Sequence, residues 1–323
     1  MSNDLYALRI MDLKDFSDST DTSESSSVAL GFFDGVHSGH EQIINACVSF
    51  ARSNGIQAIL QTFTHFSIKS NKCIMTNEEK AQILKSLDVD KMAIVDFTKD
   101  VMNMSANDFC VNILLNELHA KCICVGIDYR FGHKKEGGIE FLKSFCARNS
   151  IELQVIETKI FGEANRKVSS QWLRDLLQEG DMDTYLKLTN ERPYQVSGVV
   201  SHGKRLGRKL GFPTINLIPQ EIKTIPRFGV YATRVSIEGD ANYYYGVTNV
   251  GQRPTVDTIK SHPEETVETF VFDYEGDCYD KNVRVDFIKF LRPESKFDGL
   301  IQLKEAVEKD KEKAALVHGI KMP

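Results

Sequence analysis

A ten-residue segment combines two imidazoles with three glycines at the point where an apolar run ends and a helical pattern begins. It runs from Gly31 to His40 and reads Gly-Phe-Phe-Asp-Gly-Val-His-Ser-Gly-His. Ligands bind at the carboxyl ends of strands in open α/β sheets, and a helix N-terminus offers N–H groups and a positive dipole end to an anion. With His37 and His40 as hydrogen-bonding groups and Gly39 leaving room for a phosphate chain, the segment predicts a nucleoside triphosphate site. The alternatives are incidental turn histidines or half a metal site.

A second glycine-rich segment lies in the other half of the chain and interleaves glycines with basic side chains. It spans 203–211 and leads directly into Phe212-Pro213-Thr214. Backbone N–H groups in such loops cradle phosphates. The dense glycines favour a phosphate cradle over the alternative, a nucleic-acid patch.

Alternating strand-like and helix-like segments predict the scaffold of the first half. Thr76 and Glu79 have the spacing of a capping box that opens a helix through Leu87. Strands are predicted at 28–33, 56–63, 92–97, 122–126 and 153–158, and further helices at 40–53, 105–118, 139–148 and 170–178. Repeated β–α–β units imply a parallel sheet with helices on its faces.

From about residue 194 the pattern changes to short strands bounded by Gly, Pro, Asn and Asp. They are predicted at 195–200, 229–237, 243–248, 267–274 and 283–291, followed by a helix over 298–316. This spacing predicts an antiparallel barrel or sandwich followed by a C-terminal helix. The boundary is placed after the Gly180-Asp181 stop signal, which gives domains 1–187 and 188–323.

Composition excludes several classes of protein. The 323 residues suit about two domains, and 40 basic against 45 acidic side chains give a net charge of −5, without the basic surplus of a dedicated nucleic-acid binder. No apolar run approaches the roughly 20 residues that span a bilayer, and no signal peptide is apparent. The seven cysteines show no C-x-x-C pair and suit reduced thiols in a cytoplasm.

Several motifs of the first half resemble those of one enzyme family. The Gly31–His40 segment resembles the H-x-G-H motif of nucleotidyltransferases, in the G-x-F-D-G-V-H-x-G-H form of the bacterial bifunctional riboflavin kinase/FMN adenylyltransferases. Residues 62–65 resemble that family's T-F-x-P-H segment. Residues 126–132, followed by Gly137, resemble its flavin-side G-x-D-F-x-F-G-x-x-x-x-G motif, and 169–174 resemble its S-S-T-x-I-R segment.

The second half resembles the same family. Residues 198–216 are similar to the riboflavin kinase motif G-x-V-x-x-G…G-R-x-L-G-F-P-T-A-N, and 246–255 to G-x-x-N-x-G-x-R-P-T. Val267-Glu268-Thr269 matches V-E-T-H up to its last residue. The resemblance implies a Rossmann-like nucleotidyltransferase domain followed by a small antiparallel β-barrel kinase domain with a C-terminal helix. It also implies an enzyme that phosphorylates riboflavin to FMN and adenylylates FMN to FAD, with ATP and Mg²⁺ in both steps and release of pyrophosphate in the second. We expect a monomer or weak homo-oligomer without nucleic-acid or membrane partners.

The resemblance assigns roles in the adenylyltransferase half. The nucleophile is an FMN phosphate oxygen, already ionised, so catalysis rests on positioning and charge neutralisation. The catalytic candidates are His37, His40 and Arg174. ATP contacts are implied for Gly31, Phe33, Asp34, Gly39 and Ser169, and flavin contacts for His65, Asp128, Tyr129, Phe131 and Gly132.

In the kinase half, a ribityl hydroxyl must attack the γ-phosphate, and a carboxylate can act as its base. The family match gives Glu268 that role, against the alternative of a solvated strand glutamate. Thr214 and Asn216, two residues apart on one strand face, can supply oxygens to Mg²⁺. ATP contacts are implied for Gly203, Lys204, Gly207, Arg208 and Gly211, and flavin contacts for Asn249 and Arg253.

Five positions or segments depart from the family pattern and keep alternatives open. Phe32 replaces an asparagine, the T-F-x-P-H-P segment continues as Thr64-His65-Phe66, and Gln171 replaces a threonine. In the kinase half, Phe270 replaces a histidine, and the D-L-Y-G turn reads Asp277-Cys278-Tyr279-Asp280. One alternative is a riboflavin kinase with lost or altered adenylyl transfer. The others are a non-catalytic flavin-binding regulatory protein and an H-x-G-H transferase of another substrate, such as pantetheine phosphate.

Overall fold

The computed structural model divides into two compact units, Met1–Ser170 and Gln171–Pro323. It describes residues 8–13, 18–19, 24–64, 72–200, 214–253, 264–274, 276 and 278–320. The domain boundary at 187/188 stays a prediction.

The first unit is built on a seven-stranded sheet in the order β2-β1-β5-β4-β3-β6-β7. Strands β3 to β7 are parallel, and β1 adds to β5 in the antiparallel sense. The chain builds β3, β4 and β5 to one side and then crosses back to place β6 and β7 on the other side of β3. The strands are Leu8–Asp12 (β1), Asp18–Ser19 (β2), Ser26–Leu30 (β3), Gln57–Phe63 (β4), Lys91–Val95 (β5), Ala120–Gly126 (β6) and Glu152–Ile156 (β7).

Helices cover both faces of this sheet, which explains why its strands are continuous apolar runs. Alternate residues of β3 divide between two cores: Val28 and Leu30 face one, and Ala29 faces the other. The helices are Ser38–Asn54 (α1), Asn77–Ser86 (α2), Lys99–Asn103 (α3), Ala106–Asp108 (α4), a wider helix at Phe109–Glu117 and Ile139–Asn149 (α5). A small hairpin joins Ile160–Phe161 (β8) and Arg166–Lys167 (β9) before Ser170–Glu179 (α6) begins.

The second unit is a six-stranded antiparallel sheet in the order β10-β15-β12-β13-β14-β11. Its strands are Tyr194–Val199 (β10), Thr214–Leu217 (β11), Gly229–Ile237 (β12), Tyr243–Arg253 (β13), Glu264–Val271 (β14) and Asn282–Pro293 (β15). Met182–Leu188 (α7) precedes the sheet, and Leu300–His318 (α8) follows it. Helix α8 packs Ala314 against the face that carries Val230, Ala232 and Val247.

The other face of this sheet holds a buried ladder of hydroxyls. Thr248 Oγ1 lies 2.8 Å from Thr233 Oγ1 and 2.8 Å from Thr269 Oγ1, so three neighbouring strands are joined by side chains as well as by backbone. Beside the ladder, the ring centroid of Tyr231 lies 5.1 Å from that of Phe287. The face with the threonines therefore forms the interior of the sheet, and the face with Val230, Ala232 and Val247 packs against α8.

The predicted fold class is confirmed, with a parallel-sheet α/β domain followed by an antiparallel sheet and a C-terminal helix. The capping box is also confirmed, because Thr76 accepts from Glu79 N while the Glu79 carboxylate accepts from Thr76 N. The predicted helix 105–118 differs in that its last turns are wider, with Leu118 N bonded to Ile113 O at 2.9 Å. All seven cysteines are buried. None of the helices in the described ranges is long and apolar enough to cross a bilayer.

Candidate active sites

The first unit has a cavity of about 260 Å³ at the carboxyl edge of its sheet. Its walls follow three adjacent strands: Gly31 and Phe33 after β3, Gly126 and Asp128 after β6, and Thr158 after β7. Because the chain reverses its direction of growth between β3 and β6, the cavity lies at the topological switch point, where open α/β sheets bind ligands.

Most residues predicted for the nucleotide end line this cavity. They are Gly31, Phe33, His37, Gly39, His40 and Ser169, joined by Asp128 and Tyr129 from the predicted flavin side. Arg174 lies one turn into α6, beyond Ser170, and belongs to the second unit. His65 lies outside the described residues.

The turn between β3 and α1 is strained and held by specific bonds. Phe33 has φ 50° and Val36 has φ 33°, and positive φ is rare for bulky and β-branched residues; each such residue costs about 1–3 kcal/mol. The buried Asp34 carboxylate accepts from the backbone N of Ile74 at 2.9 Å and of Met75 at 3.2 Å. Ser170 Oγ donates to Asp34 O at 2.7 Å. Asp34 thus fixes the turn and is absent from the cavity lining.

The two imidazoles stack at the start of α1, with ring centroids 3.6 Å apart and an interplanar angle of 14°. His37 is the N-cap, and its Nδ1 accepts from His40 N at 3.1 Å. The proton of the neutral His37 ring is therefore on Nε2, which can donate. A β-carbon at Gly39 would lie 3.2 Å from His37 Nδ1, so this glycine makes room for the ring.

Burial keeps both imidazoles neutral. Burial lowers the pKa of His37 to about 4. Burial also lowers the pKa of His40 well below 6.5, helped by the neighbouring His37 and by the ammonium of Lys80. Two neutral rings at a helix N-terminus can act as hydrogen-bond donors to an anion without a change of charge.

The low pKa of His37 predicts acid sensitivity of the first unit. The unfolded chain binds the proton with a pKa of about 6.5, so the free energy of unfolding is full above that pH and falls as the pH drops toward 4. We expect His37 to account for a loss of about 2 kcal/mol between pH 7 and pH 5. Urea-dependent hydrogen exchange of α1 measures it. The variant His37→Asn keeps a cap acceptor, and its free energy of unfolding should fall by about 2 kcal/mol less over the same pH interval. An equal fall in the variant and the unsubstituted protein would contradict the prediction.

Two lysines that sequence reasoning missed add positive charge to the cavity. Lys159 and Lys167 line it from either side of the β8–β9 hairpin. Lys167 Nζ forms an ion pair with the Asp128 carboxylate. Burial opposes ionisation of Asp128, but the ion pair outweighs it and lowers the pKa of the carboxyl. The sequence signal that could have found Lys167 is its place two residues before Ser169.

The predicted flavin-side residues divide between the cavity and the core. Tyr129 lines the cavity, and its ring stacks on Phe131 with centroids 5.5 Å apart. Phe131 is buried and packs 5.4 Å from Phe109 in the core. Gly132 has φ 74° and ψ 173°, a backbone conformation that is almost restricted to glycine.

Gly132 offers a test with a matched control. A β-carbon there would lie 2.7 Å from the backbone N of Ala106, whereas nothing lies within 4 Å of the corresponding position at Gly162, whose φ is 73°. We expect Gly132→Ala to lower the free energy of unfolding by about 3 kcal/mol and Gly162→Ala by about 1 kcal/mol. Urea titration measures both, and equal losses would contradict the packing argument.

The side chain and the carbonyl of Phe32 have different partners. The ring is 46% exposed and packs 4.9 Å from Phe63 and 5.5 Å from Phe97, between centroids. The carbonyl accepts from Lys80 Nζ at 2.8 Å and from Thr62 Oγ1 at 3.0 Å. These two hydrogen bonds hold the backbone of the turn, although the side-chain amide of the family's asparagine is missing. At the second departure in this half, Gln171 is exposed and donates to Asp175.

The second unit has a cavity of about 310 Å³ between the sheet face and α8. Strands β12, β13 and β14 contribute Val230, Asn249 and Glu268, and helix α8 contributes Leu303 and Val307. Apolar walls with a few polar groups are typical of small-molecule sites.

Strand register places the predicted kinase residues in one row. Glu268 lies directly opposite Asn216 on one side and Asn249 on the other. Directly opposed residues share a face, with β-carbons about 5 Å apart. Thr214 lies two residues from Asn216 and, like Glu268 and Asn249, lines the cavity. The carboxylate is therefore flanked by two amides and lies near a hydroxyl.

The opposite wall is fixed by a partly buried ion pair that sequence reasoning missed. Arg292 at the end of β15 donates to Asp310 of α8, with Nε–Oδ1 2.9 Å and Nη2–Oδ2 2.6 Å. Both residues line the cavity, together with Phe297. A β-carbon at Gly251 would lie 2.1 Å from Glu294 Oε1, so that glycine makes room for the glutamate. Because Asp310 is buried, removing Arg292 would leave its charge without compensation, so the pair joins the end of β15 to α8.

Among the remaining predicted kinase residues, the structure describes only the backbone of Arg253. Arg253 ends β13, where its backbone pairs with Glu264. Gly203, Lys204, Gly207, Arg208 and Gly211 lie outside the described residues. Of the two departures, Phe270 lines the cavity, with Lys311 Nζ 4.9 Å from its ring centroid, and Cys278 is buried.

Two family models match the chain, one in each half. The FAD synthetase model matches residues 19–172, and the riboflavin kinase model matches residues 190–318. The first match contains the cavity with the two imidazoles, and the second contains the row centred on Glu268.

Relatives of known function match over most of the chain. The bifunctional riboflavin kinase/FMN adenylyltransferase of Listeria monocytogenes is 32% identical over 292 residues, which cover 88% of this chain and 90% of the relative. The proteins of that name from Bacillus subtilis and Escherichia coli K12 are each 30% identical and cover 90% and 93% of this chain, and 91% and 95% of their own lengths. A Streptococcus pneumoniae crystal structure described as a macrolide-efflux protein superposes with a TM-score of 0.78 at 27% identity, covering 94% of this chain and 96% of its own.

Proposed function

The chain belongs to the family of bifunctional riboflavin kinase/FMN adenylyltransferases, and we propose that its two cavities divide the two reactions between them. The enzyme phosphorylates riboflavin to FMN and adenylylates FMN to FAD. The cavity with the stacked imidazoles performs adenylyl transfer, and the cavity centred on Glu268 performs phosphorylation. The observation that carries this assignment is the agreement of each cavity with the family model of its own half.

Adenylyl transfer requires positioning rather than a base. An FMN phosphate oxygen forms a bond to the α-phosphorus of ATP, the bond from that phosphorus to the bridging oxygen breaks, and pyrophosphate leaves. His37 Nε2–H and His40 donate hydrogen bonds to the triphosphate. Lys159 and Lys167 neutralise charge that grows on the leaving group. Ser169 and Arg174 remain the predicted contacts from the start of α6.

Phosphorylation requires a base for the ribityl hydroxyl. Its oxygen forms a bond to the γ-phosphorus, ADP leaves, and the proton passes to the Glu268 carboxylate. Asn216 and Asn249, on either side of Glu268, orient the carboxylate and the sugar chain. The isoalloxazine ring fits the apolar wall formed by Val230, Leu303 and Phe297.

The donors near Glu268 suit Mg²⁺. The Thr214 hydroxyl and the Asn216 amide, on the strand next to Glu268, offer the hard oxygens that this ion prefers. When bound, Mg²⁺ supplies charge neutralisation to the phosphates of ATP. Thr214 and Asn216, two residues apart on one strand face, would hold it.

Differently labelled ATP tests the assignment. Riboflavin is supplied with ATP labelled at the γ- or the α-phosphate, and the flavins are separated. We expect γ-label in FMN and α-label in the adenylyl group of FAD. Formation of FMN without FAD would show a riboflavin kinase that lacks adenylyl transfer. The absence of both products would overturn the assignment.

Two further expectations concern the whole protein. We expect it in the cytoplasm, and as a monomer or weak homo-oligomer. Fractionation and light scattering at micromolar concentration measure these properties.

A further inference from the structure

Helix α2 places a lysine beneath the turn that precedes the two imidazoles. Lys80 is fully buried, and its ammonium donates to Phe32 O at 2.8 Å, Thr62 Oγ1 at 2.9 Å and Asn77 Oδ1 at 3.1 Å. In the described part of the chain, the three oxygens that accept from this ammonium are a carbonyl, a hydroxyl and an amide oxygen, and none of them is charged. A buried ammonium without a directly bonded carboxylate is rare because removing the charge from water is unfavourable.

The bond to Phe32 holds the residue that immediately precedes the strained part of the turn. Phe33 and Val36, just beyond it, have positive φ, and strained backbone persists only where the surroundings hold it. Thr62 Oγ1 donates to the same carbonyl at 3.0 Å and also accepts from Lys80, so lysine, threonine and carbonyl form a closed triangle. The next residues along the chain reach His37 and His40.

We propose that Lys80 is a positioning residue for adenylyl transfer, which fixes the Phe32 carbonyl and through it the turn that presents His37 and His40 to the triphosphate. The inference rests on the proposed function of the first cavity. Lys80 is absent from the cavity lining, so it acts through the turn rather than on the substrate.

Electrostatics supports the same role. Burial lowers the pKa of Lys80 to about 8, opposed mainly by the carboxylate of Asp34. The ammonium in turn helps to lower the pKa of His40. Deprotonation of Lys80 removes one donor and the charge, so the turn should loosen above pH 8.

The first test replaces Lys80 with methionine, which keeps the unbranched stem and removes every donor. We expect kcat for FMN adenylylation to fall on the order of 100-fold, with KM for ATP changed less than threefold. Riboflavin phosphorylation by the same sample should stay within twofold, because its cavity is built from other residues. Lys143→Met, on the exposed face of α5, is the control and should leave both activities unchanged.

A pH profile distinguishes positioning from packing. In the unsubstituted enzyme, we expect kcat for adenylylation to decrease as pH rises through about 8, whereas the residual activity of Lys80→Met stays flat in that range. A residue that only packed would change the yield of folded protein and leave this profile in place.

Substitution of Thr62 provides a second test, which remains possible if the Lys80→Met protein does not fold. Thr62→Val removes the hydroxyl but keeps the shape, and we expect about a tenfold loss of kcat, restored within twofold by Thr62→Ser. Combined with Lys80→Met, it should add little, because both act on one carbonyl. If both single variants keep a kcat within threefold of the unsubstituted enzyme, the role of Lys80 is overturned but the proposed function is not. Absence of FAD formation by the unsubstituted enzyme would overturn the proposed function, and this inference with it.

Discussion

Glu268→Gln should lower kcat for riboflavin phosphorylation about 1,000-fold while conversion of supplied FMN to FAD continues at its normal rate. Glutamine preserves the size of the side chain and its place in the row between Asn216 and Asn249. It removes the oxygen anion that takes the hydroxyl proton. The loss should appear in kcat more than in the KM for riboflavin, because the missing interaction develops as the proton moves.

The same strand supplies the control. Glu265 is three residues away on β14, so its side chain points to the opposite face. Glu265→Gln should leave both activities within twofold. More than a tenth of normal phosphorylation in Glu268→Gln would contradict its role as base. An equal loss of both activities would contradict two independent sites.

Local patterns were enough to predict most of the fold. The capping box at Thr76, the apolar runs of β3 to β7 and the helix opened by Ser170 each depend on neighbours in the sequence. The parallel arrangement then follows because β–α–β units connect strands in one sense. Strands β1 and β2, which extend the sheet beyond β5, were not predicted, since two short segments at an edge carry little periodic pattern.

In the candidate sites, sequence spacing predicts the residues that are close together in the chain but not the distant residues that hold them. His37, Gly39 and His40 lie within one turn of helix, and Asn216 and Thr214 lie two residues apart, so sequence spacing places them. The residues that hold them are distant in the chain: Lys80 bonds a carbonyl 48 residues earlier, and Arg292 bonds Asp310 on another element. Such pairs depend on tertiary packing, which no spacing encodes.

The departure at Phe32 illustrates the limit of motif matching. A motif compares side chains, and by that measure the loss of an amide weakened the adenylyltransferase hypothesis. In the structure, the carbonyl of the same residue makes the hydrogen bonds that hold the turn, and any residue supplies a carbonyl. The backbone function of a position can therefore survive a change of side chain.

His40→Ala should abolish most FAD formation while FMN formation continues. We expect kcat for adenylylation to fall about 1,000-fold, the upper range for loss of a preorganised donor to developing charge. The His40 ring lines the cavity and packs edge-on against Phe33 at 5.2 Å between centroids, so its position is fixed before substrate binds. Its Nδ1 is buried without a hydrogen-bond partner in the described part of the chain, which leaves Nε2 as the favoured donor.

Kinetics on both half-reactions decide the role of His40. If the imidazole acts on the transition state, kcat falls while KM for ATP stays within about threefold; if it only binds ATP, KM rises and kcat is kept. His119→Asn is the control, since His119 is exposed and asparagine tolerates its φ of 46°. It should leave both half-reactions unchanged. Equal activity of His40→Ala and the control would contradict a catalytic role for His40, because the backbone N–H groups of α1 would then suffice to hold the triphosphate.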